Sequence, residues 1–496
     1  MLGHLKRLVT TGTAYQFGDI ISKGFALLTL PLYTHHVSEA DYGAASSLLT
    51  GVILLSIFLR GGVGEAFIRF YFDDDDYARR DRIARTATAT VAWTTTIASL
   101  VALVFAGSLS RLILGFHDPL LIDSAIVGLW AFTNLELAYA QLRVDERTRA
   151  YICASGANVV LTVGFTISLV VFAGQGARGL LLGNFGASAV VVVGLWWVLR
   201  HRFSLRVHWG YLRKMLCFGM PTVPADASLY ALQVVDRFYL FRHNSQSAAG
   251  LYAVGVQLAS IVLVAVRGFQ YAWPPLAYSI KTDEEAGRLY ALVATYYTLV
   301  TGSTVCGVAL SARWMVRLLA APQFLNAYLA LPWLALGWSL YGLYLLLVVI
   351  AGRRKLTSRN LLAAAAGLGV NIVLLRLLVP TNGAGLGVVG AGVALCSAYA
   401  VMLVVIYQLT RSMVRIDFEW PRLVGIAAIL VAVVVSGEVL LPTHGIGGLG
   451  LRLIWLGWIP VLLVLTRFFH PQEAHAAYAL IAAGRKRVTR FRGWGF

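Results

Sequence analysis

The chain has 496 residues, of which 58% are hydrophobic and only 13% charged, with a mean hydropathy of +0.73 and a formal net charge of +18. A soluble globule carries about a quarter charged residues, so most of this chain is built to face lipid or other apolar helices. The excess positive charge does not read as a nucleic-acid surface, because the basic residues sit between apolar runs and form no polar domain of their own.

The N-terminus, MLGHLKRLVTTG, has a short basic start, and the run after it carries Asp19 and Lys23 with no small-residue cleavage site. It is expected to be a retained first helix and not a signal peptide. Apolar runs then follow at 12–34, 42–62, 83–107, 119–141, 151–173 and 178–199. A second set lies at 214–236, 248–270, 288–311, 326–350, 360–379 and 385–409, and a last pair at 421–441 and 449–467. About 20 apolar residues cross the hydrocarbon core as a helix. With no water to satisfy free backbone groups, such runs must be helical. The expectation is an all-α polytopic membrane protein of about fourteen spans.

Every second connection is basic: Arg79, Arg80, Arg82 and Arg85; Arg143, Arg147 and Arg149; Arg200, Arg202 and Arg206; Arg353, Arg354 and Lys355. The alternate connections, HHVSEADYG and PTNGAGLG among them, are poor in Lys and Arg. The positive-inside rule puts the basic side, with both termini, in the cytoplasm.

The chain also repeats itself. A shift of about 207 positions lays Lys6-Arg7 on Arg213-Lys214, Gly12 on Gly219, Asp19 on Asp226, Gly43 on Gly250, Arg60-Gly61 on Arg267-Gly268, Tyr71 on Tyr278 and Asp76 on Asp283. Intramembrane charges and packing glycines are rare in spans, which gives these matches their weight. Six spans per repeat preserve orientation, so two six-helix lobes related by a pseudo-two-fold axis along the membrane normal are expected. The boundaries are 1–207 and 208–420 for the lobes, 421–470 for an additional helix pair, and 471–496 for a basic amphipathic tail on anionic lipid.

Several segments resemble a known family. SEADYGAAS after the first span and GEAFIRFYFDDD at the exit of the second are similar to segments of polysaccharide flippases. The succession FGMPTVPADASLYALQVVDRFYL, AAGLYAVGVQLASI and GFQYAWPP over 218–275 resembles the second lobe of Wzx-type oligosaccharide flippases. These belong to the MOP superfamily with MATE exporters and the peptidoglycan-precursor flippase MurJ. The resemblance implies an inner-membrane protein that turns undecaprenyl-pyrophosphate-linked sugars from the cytoplasmic to the periplasmic face. A glycan polymerase and other polysaccharide assembly proteins are the further partners it implies.

Charges inside spans mark the candidate site, since each costs a few kcal/mol to insert unless it faces a cavity or partner. Lys23, Arg60, Arg267 and Arg237 are the candidate anion-binding residues; Asp19 and Asp226 are the candidate ion-coupling acids. The competing readings are a self-neutralising Asp19–Lys23 pair one turn apart, snorkelling of Arg60 and Arg267, and a local salt bridge from Arg237 to Asp236. Arg376 and Glu438 read as interface residues, and Glu136 as a partner of the basic turn after span four. The run Asp73–Asp76 contains a DxD of the glycosyltransferase type, against which stands a solvated loop paired with Arg79 and Arg80. Cys153, Cys217, Cys306 and Cys396, scattered with no CxxC, read as free, buried thiols and not as a metal site. No GxxxxGK[ST] loop is present, so no cofactor or ATP hydrolysis is expected. Alternatives to the flippase are a MATE-like drug exporter, a peptidoglycan-precursor flippase, and a membrane-embedded glycan polymerase or ligase.

Overall fold

The computed structural model describes residues 24–25, 27–71, 76–202, 204–279, 282–353, 358–413, 416–466 and 468. Asp19, Lys23, Asp73–Asp75, Arg354, Lys355 and the expected tail lie outside them. All regular structure among the described residues is helical. A helix over 27–36 (α1) leads into α2 (Glu39–Arg60), α3 (Val63–Tyr71), α4 (Tyr77–Val104), α5 (Ala106–Ile113), α6 (Pro119–Val144), α7 (Thr148–Ile167) and α8 (Gly176–Val198). Then come α9 (Trp209–Gly219), α10 (Val223–His243), α11 (Gln246–Ser279), α12 (Asp283–Leu319), α13 (Leu331–Arg353), α14 (Ser358–Leu378) and α15 (Gly387–Thr410). The chain closes with α16 (Trp420–Leu440), α17 (Gly445–Leu456) and α18 (Trp458–Leu465).

Twelve helices among the described residues are long and apolar enough to cross a membrane. Two of the fourteen expected spans stand apart from that set. The first is described only from residue 24, and the seventh is α10, which carries Asp226, Asp236, Arg237 and Arg242 and is correspondingly polar. This seventh span also begins later than the 214 read from the sequence. Residues 209–219 form the separate helix α9; a short turn containing Pro221 follows, and Pro224 sits in the first turn of α10. A proline there lacks only an N–H that the helix would leave unpaired anyway.

Local chemistry sets the helix ends. The Ser38 hydroxyl accepts from the Asp41 N–H to start α2, and Gly61 ends it in the left-handed region at φ 54°. Asp76 caps α4 by accepting from Ala78, and Asp118 caps α6 by accepting from Leu121, ahead of Pro119. The threonine-rich start of α4 survives burial because its hydroxyls bond back one turn: Thr86 to the Arg82 carbonyl, Thr88 to Ala84, Thr90 to Thr86 and Thr95 to Val91. Two of these hydroxyls also accept across to α6, from Gln141 Nε2 and from Asn134 Nδ2. Such bonds between helices are worth about 0.6 kcal/mol on average in a membrane.

The chain divides into two compact units, Met1–Lys281 with Ala312–Val414 and Thr282–Ser311 with Arg415–Phe496. In the first, α6 packs on α8 through Leu135, Leu142, Val192 and Leu195, with the Phe185 ring lying directly on Gly128. In the second, Leu310, Ile426, Leu430, Val433 and Ile459 form a core. There Arg452, 1% exposed, donates to Glu438 and to the carbonyls of Leu310, Leu441 and Pro442. Glu438 is therefore one half of a packed ion pair, a role its sequence position did not disclose.

Two other expectations need correction. Cys153 and Cys217 are exposed, while Cys306 and Cys396 are buried; all four are free. Glu136 makes no ion pair with the described residues; Asp145 takes that role, holding Arg202 Nη1 at 2.6 Å. Glu136 and Asp145 are nine positions apart, about 13 Å along the axis, so Glu136 is left well short of the turn. Of the acidic run only Asp76 is described, and it caps α4; the expected pairing of the run with Arg79 and Arg80 falls largely outside the described residues.

Candidate functional site

The site lies in the first unit and is built around α2. At one end Gly43, in the second turn of α2, meets Gly250, in the second turn of α11. A Cβ on Gly43 would stand 2.2 Å from the Gln246 carbonyl oxygen, and one on Gly250 would stand 2.0 Å from that of Glu39. At its other end α2 leads through Gly62, where a Cβ would stand 2.1 Å from the Gly219 oxygen at the close of α9. Only residues without side chains let two backbones approach this closely. The first half of the chain thus touches the second, backbone to backbone, near both ends of one helix.

Beside the first of these contacts lies a cavity of about 410 Å³, which α2 lines through Tyr42, Ala45, Ser46 and Leu49. Its polar lining comes from Thr29 and Tyr33 (α1), Tyr42 and Ser46 (α2), Asn158, Thr162 and Thr166 (α7), Asn184 (α8) and Gln257 (α11). Arg237 of α10 reaches the same cavity and is the one charged group among its described lining residues. Its Nε is buried without a hydrogen-bond partner. A guanidinium in that position keeps a donor free for whatever enters, and its planar fork suits a phosphate.

Asp236, the neighbour expected to pair with Arg237, faces elsewhere. It is 0% exposed and accepts from Tyr252 Oη at 2.7 Å and from Asn371 Nδ2 at 3.0 Å. Successive helix residues point about 100° apart, so adjacent charges do not face each other. The local salt bridge is absent, and the two charges serve different surroundings. Asn371 Oδ1, beside the carboxylate, has no partner of its own. Asp236 is a buried acid that its sequence position does not set apart, because the arginine beside it makes it look neutralised.

Of the other described candidates, Arg60 and Asp226 come together. Arg60, in the last turn of α2, lines a pocket of about 30 Å³ with Glu65, Gly62, Gly64, Val223 and Asp226. Its Nε reaches the Ser56 carbonyl at 3.4 Å. This candidate cation therefore sits beside one of the two candidate acids, in the region of the Gly62–Gly219 contact. Arg267, in α11, has a buried Nε without a partner and lies within electrostatic reach of Tyr341. Arg267 lines neither the pocket that holds Arg60 nor the cavity that holds Arg237.

Near the connections expected to be basic, a separate network ties α3, α4 and α6 to the segment after α8. Tyr71 Oη donates to Asp145 at 2.8 Å, and Arg202 donates to both Asp145 oxygens at 2.6 Å and to Tyr71 Oη at 3.0 Å. Arg80 Nε donates to the Tyr71 carbonyl at 3.0 Å. Burial, with the Asp145 carboxylate beside it, pushes the Tyr71 phenol above its ordinary range. Every member of this network is partnered, which marks it as structural.

The fold has solved counterparts. The chain resembles the lipid II flippase MurJ in an inward closed conformation, with a TM-score of 0.71 at 13% identity over 92% of this chain and 99% of that one. It also resembles an inward-facing multidrug resistance MATE family transporter of the MOP superfamily, with a TM-score of 0.62 at 14% identity over 80% of this chain and 95% of that one. In sequence it is 24% identical over 270 residues to Lsg locus putative protein 1 of Haemophilus influenzae, a match that spans 53% of this chain and 64% of that protein. Residues 36–329, more than half of the chain, match the family model described as polysaccharide biosynthesis protein, and the chain belongs to that family.

Proposed function

We propose that the chain is a flippase that carries a lipid-linked oligosaccharide across the inner membrane by alternating access, with no catalytic step. The observation that carries this reading is the composition of the 410 Å³ cavity: hydroxyl and amide side chains around one unpartnered guanidinium. Amides and hydroxyls match sugar hydroxyls, and Arg237 matches the pyrophosphate that joins sugar to lipid. A drug exporter for cations would favour acids in such a cavity, and its described lining has none.

Arg60 meets the headgroup at the cytoplasmic mouth, exchanging the company of Asp226 and Glu65 for the pyrophosphate, and Arg237 receives it further in. Binding favours whichever state closes around the headgroup, by differential affinity. Asp236 is the preferred coupling acid, since a carboxylate held away from water by two donors changes its partners when it gains a proton or a cation. Asp19, Asp226, Lys23 and Arg267 remain candidates of lower rank. Both termini face the cytoplasm, and glycan polymerases act on the product.

The test is transport of a fluorescent lipid-pyrophosphate-linked saccharide in proteoliposomes. Arg237→Ala abolishes transport at normal protein level, and Arg237→Lys, without the bidentate fork, restores only part. Wild-type activity in Arg237→Ala, or transport of cationic dyes in place of the saccharide, overturns the reading.

A further inference from the structure

A second cavity, of about 610 Å³, lies on the other faces of α2 and α10. The first cavity uses Ser46 and Leu49 of α2 and Arg237 of α10; the second uses Leu48, Val52 and Leu55, and Val234, Val235 and Phe238. The seam between the helices is shut by Phe238, whose ring would stand 3.0 Å from a Cβ on Gly51. The rest of the wall comes from α4, α5 and α6, and apart from Tyr239, Arg242 and His243 every described lining side chain is apolar.

Those three residues lie together at the end of α10. His243 stacks on Tyr239 with ring centroids 4.4 Å apart. Arg242 reaches from α10 to the loop after α5: its Nη1 would stand 2.7 Å from a Cβ on Gly115, which at φ 82° holds a conformation glycine favours. Arg242 and His243 are exposed, and among the described residues Arg242 has neither a hydrogen-bond nor an ion-pair partner. The cavity is thus an apolar slot with an unmatched cation and an imidazole at its mouth. From Val234 to His243 the slot runs about 13 Å along α10, close to half of the roughly 30 Å hydrocarbon core.

We propose that this slot binds one anionic phospholipid, with its phosphate on Arg242 and His243 and one acyl chain laid against Val234, Phe238 and Leu55. The depth fits the chain of a single leaflet, and the mouth offers charge for a phosphate. It lacks the array of amides and hydroxyls that a saccharide would use, and a long polyprenyl tail would overrun it. The inference stands independently of the transport reading, because it needs only a membrane.

The test is native mass spectrometry of the full chain in detergent, titrated with phosphatidylglycerol and with phosphatidylcholine of the same acyl chains. One phosphatidylglycerol is retained under activation that strips phosphatidylcholine. Arg242→Gln weakens that retention about tenfold, the loss of one charge-assisted contact, and Arg242→Lys recovers most of it. Ala102→Trp, which fills the slot from α4, removes retention without lowering the melting temperature measured in detergent alone. Equal retention of the two lipids by the wild type overturns the proposal. So does unchanged retention in both Arg242→Gln and Ala102→Trp, and so does one-for-one displacement of the phospholipid by a polyprenyl phosphate, which would assign the slot to the carrier.

Discussion

Gly43 and Gly250 pack backbone against backbone, with a Cβ on Gly43 only 2.7 Å from the Gly250 amide nitrogen. These are the two positions that the internal repeat lays on one another. Contact between equivalent positions is what a two-fold axis passing beside them would produce. In the proposed alternating-access cycle, α2 and α11 are where the two halves of the chain would part or close.

Replacing Gly43 with Ala forces the two backbones apart, because the atoms in the way are main chain and have no other rotamer. Overpacking of this kind costs roughly 1 to 3 kcal/mol, and the closed contact bears it while an open one does not. A cysteine placed at Ser46, in a background with the exposed Cys153 and Cys217 replaced, should label faster with a membrane-impermeant thiol reagent in the Gly43→Ala protein. An unchanged rate means that this contact does not open in transport.

Asp236→Asn keeps the shape of the buried acid and its contact with Tyr252 but removes its ability to gain or lose charge. Transport should become insensitive to pH and to cation gradients while protein level and melting temperature stay near wild type. Tyr252→Phe and Asn371→Leu, which each remove one donor, should shift the pH profile of transport without abolishing it. A profile identical to wild type in Asp236→Asn assigns Asp236 a purely structural role.

Arg202→Ala strips the Asp145 carboxylate of its bidentate partner in a half-buried setting. Removing one side of a buried pair costs about 3 to 5 kcal/mol, and the partial exposure of this one places it at the lower end. Thermal unfolding in detergent reads the loss directly. Tyr71 adds a pH signature. Because its phenol is raised in the folded protein, its contribution is complete below the unfolded tyrosine pKa of about 10. That contribution is lost as pH rises through the folded value, so Tyr71→Phe should show a smaller alkaline loss of stability than wild type.

Arg452→Ala leaves the carbonyls of Leu310, Leu441 and Pro442 without their donor and Glu438 without its counter-ion. The expected cost is about 3 to 5 kcal/mol, visible as a lowered melting temperature. Arg452→Lys should recover little, since one ammonium on a single stem does not span donors aimed in several directions. Binding of a saccharide to the first unit, in protein that remains folded, should be unaffected.

The helical class and the approximate span positions were open to reading in the amino-acid sequence, because the physics involved is local and repeated. Long apolar runs have one way to satisfy their backbone in lipid, and rare charges and glycines stand out against them. Gly43 and Gly250 were identifiable in this way, as were Arg60, Asp226 and Arg237 as charges needing a reason. The true start of the seventh span was not, because α9 and α10 form one mildly apolar stretch whose break at Met220–Thr222 depends on proline placement.

Which side chains meet was decided by tertiary structure. Asp236 lies 16 positions from Tyr252 and 135 from Asn371, so no local pattern joins them. Arg237 and Asp236 look like a pair on paper, yet the 100° turn between adjacent helical residues sends one to a polar cavity and the other into a dry core. Composition and spacing alone make this chain a bundle of membrane helices carrying a few costly charges. Only the rotation and packing of those helices decided which charge stayed free for a ligand, because burial and partnership are properties of a side chain's surroundings and those surroundings come from distant segments.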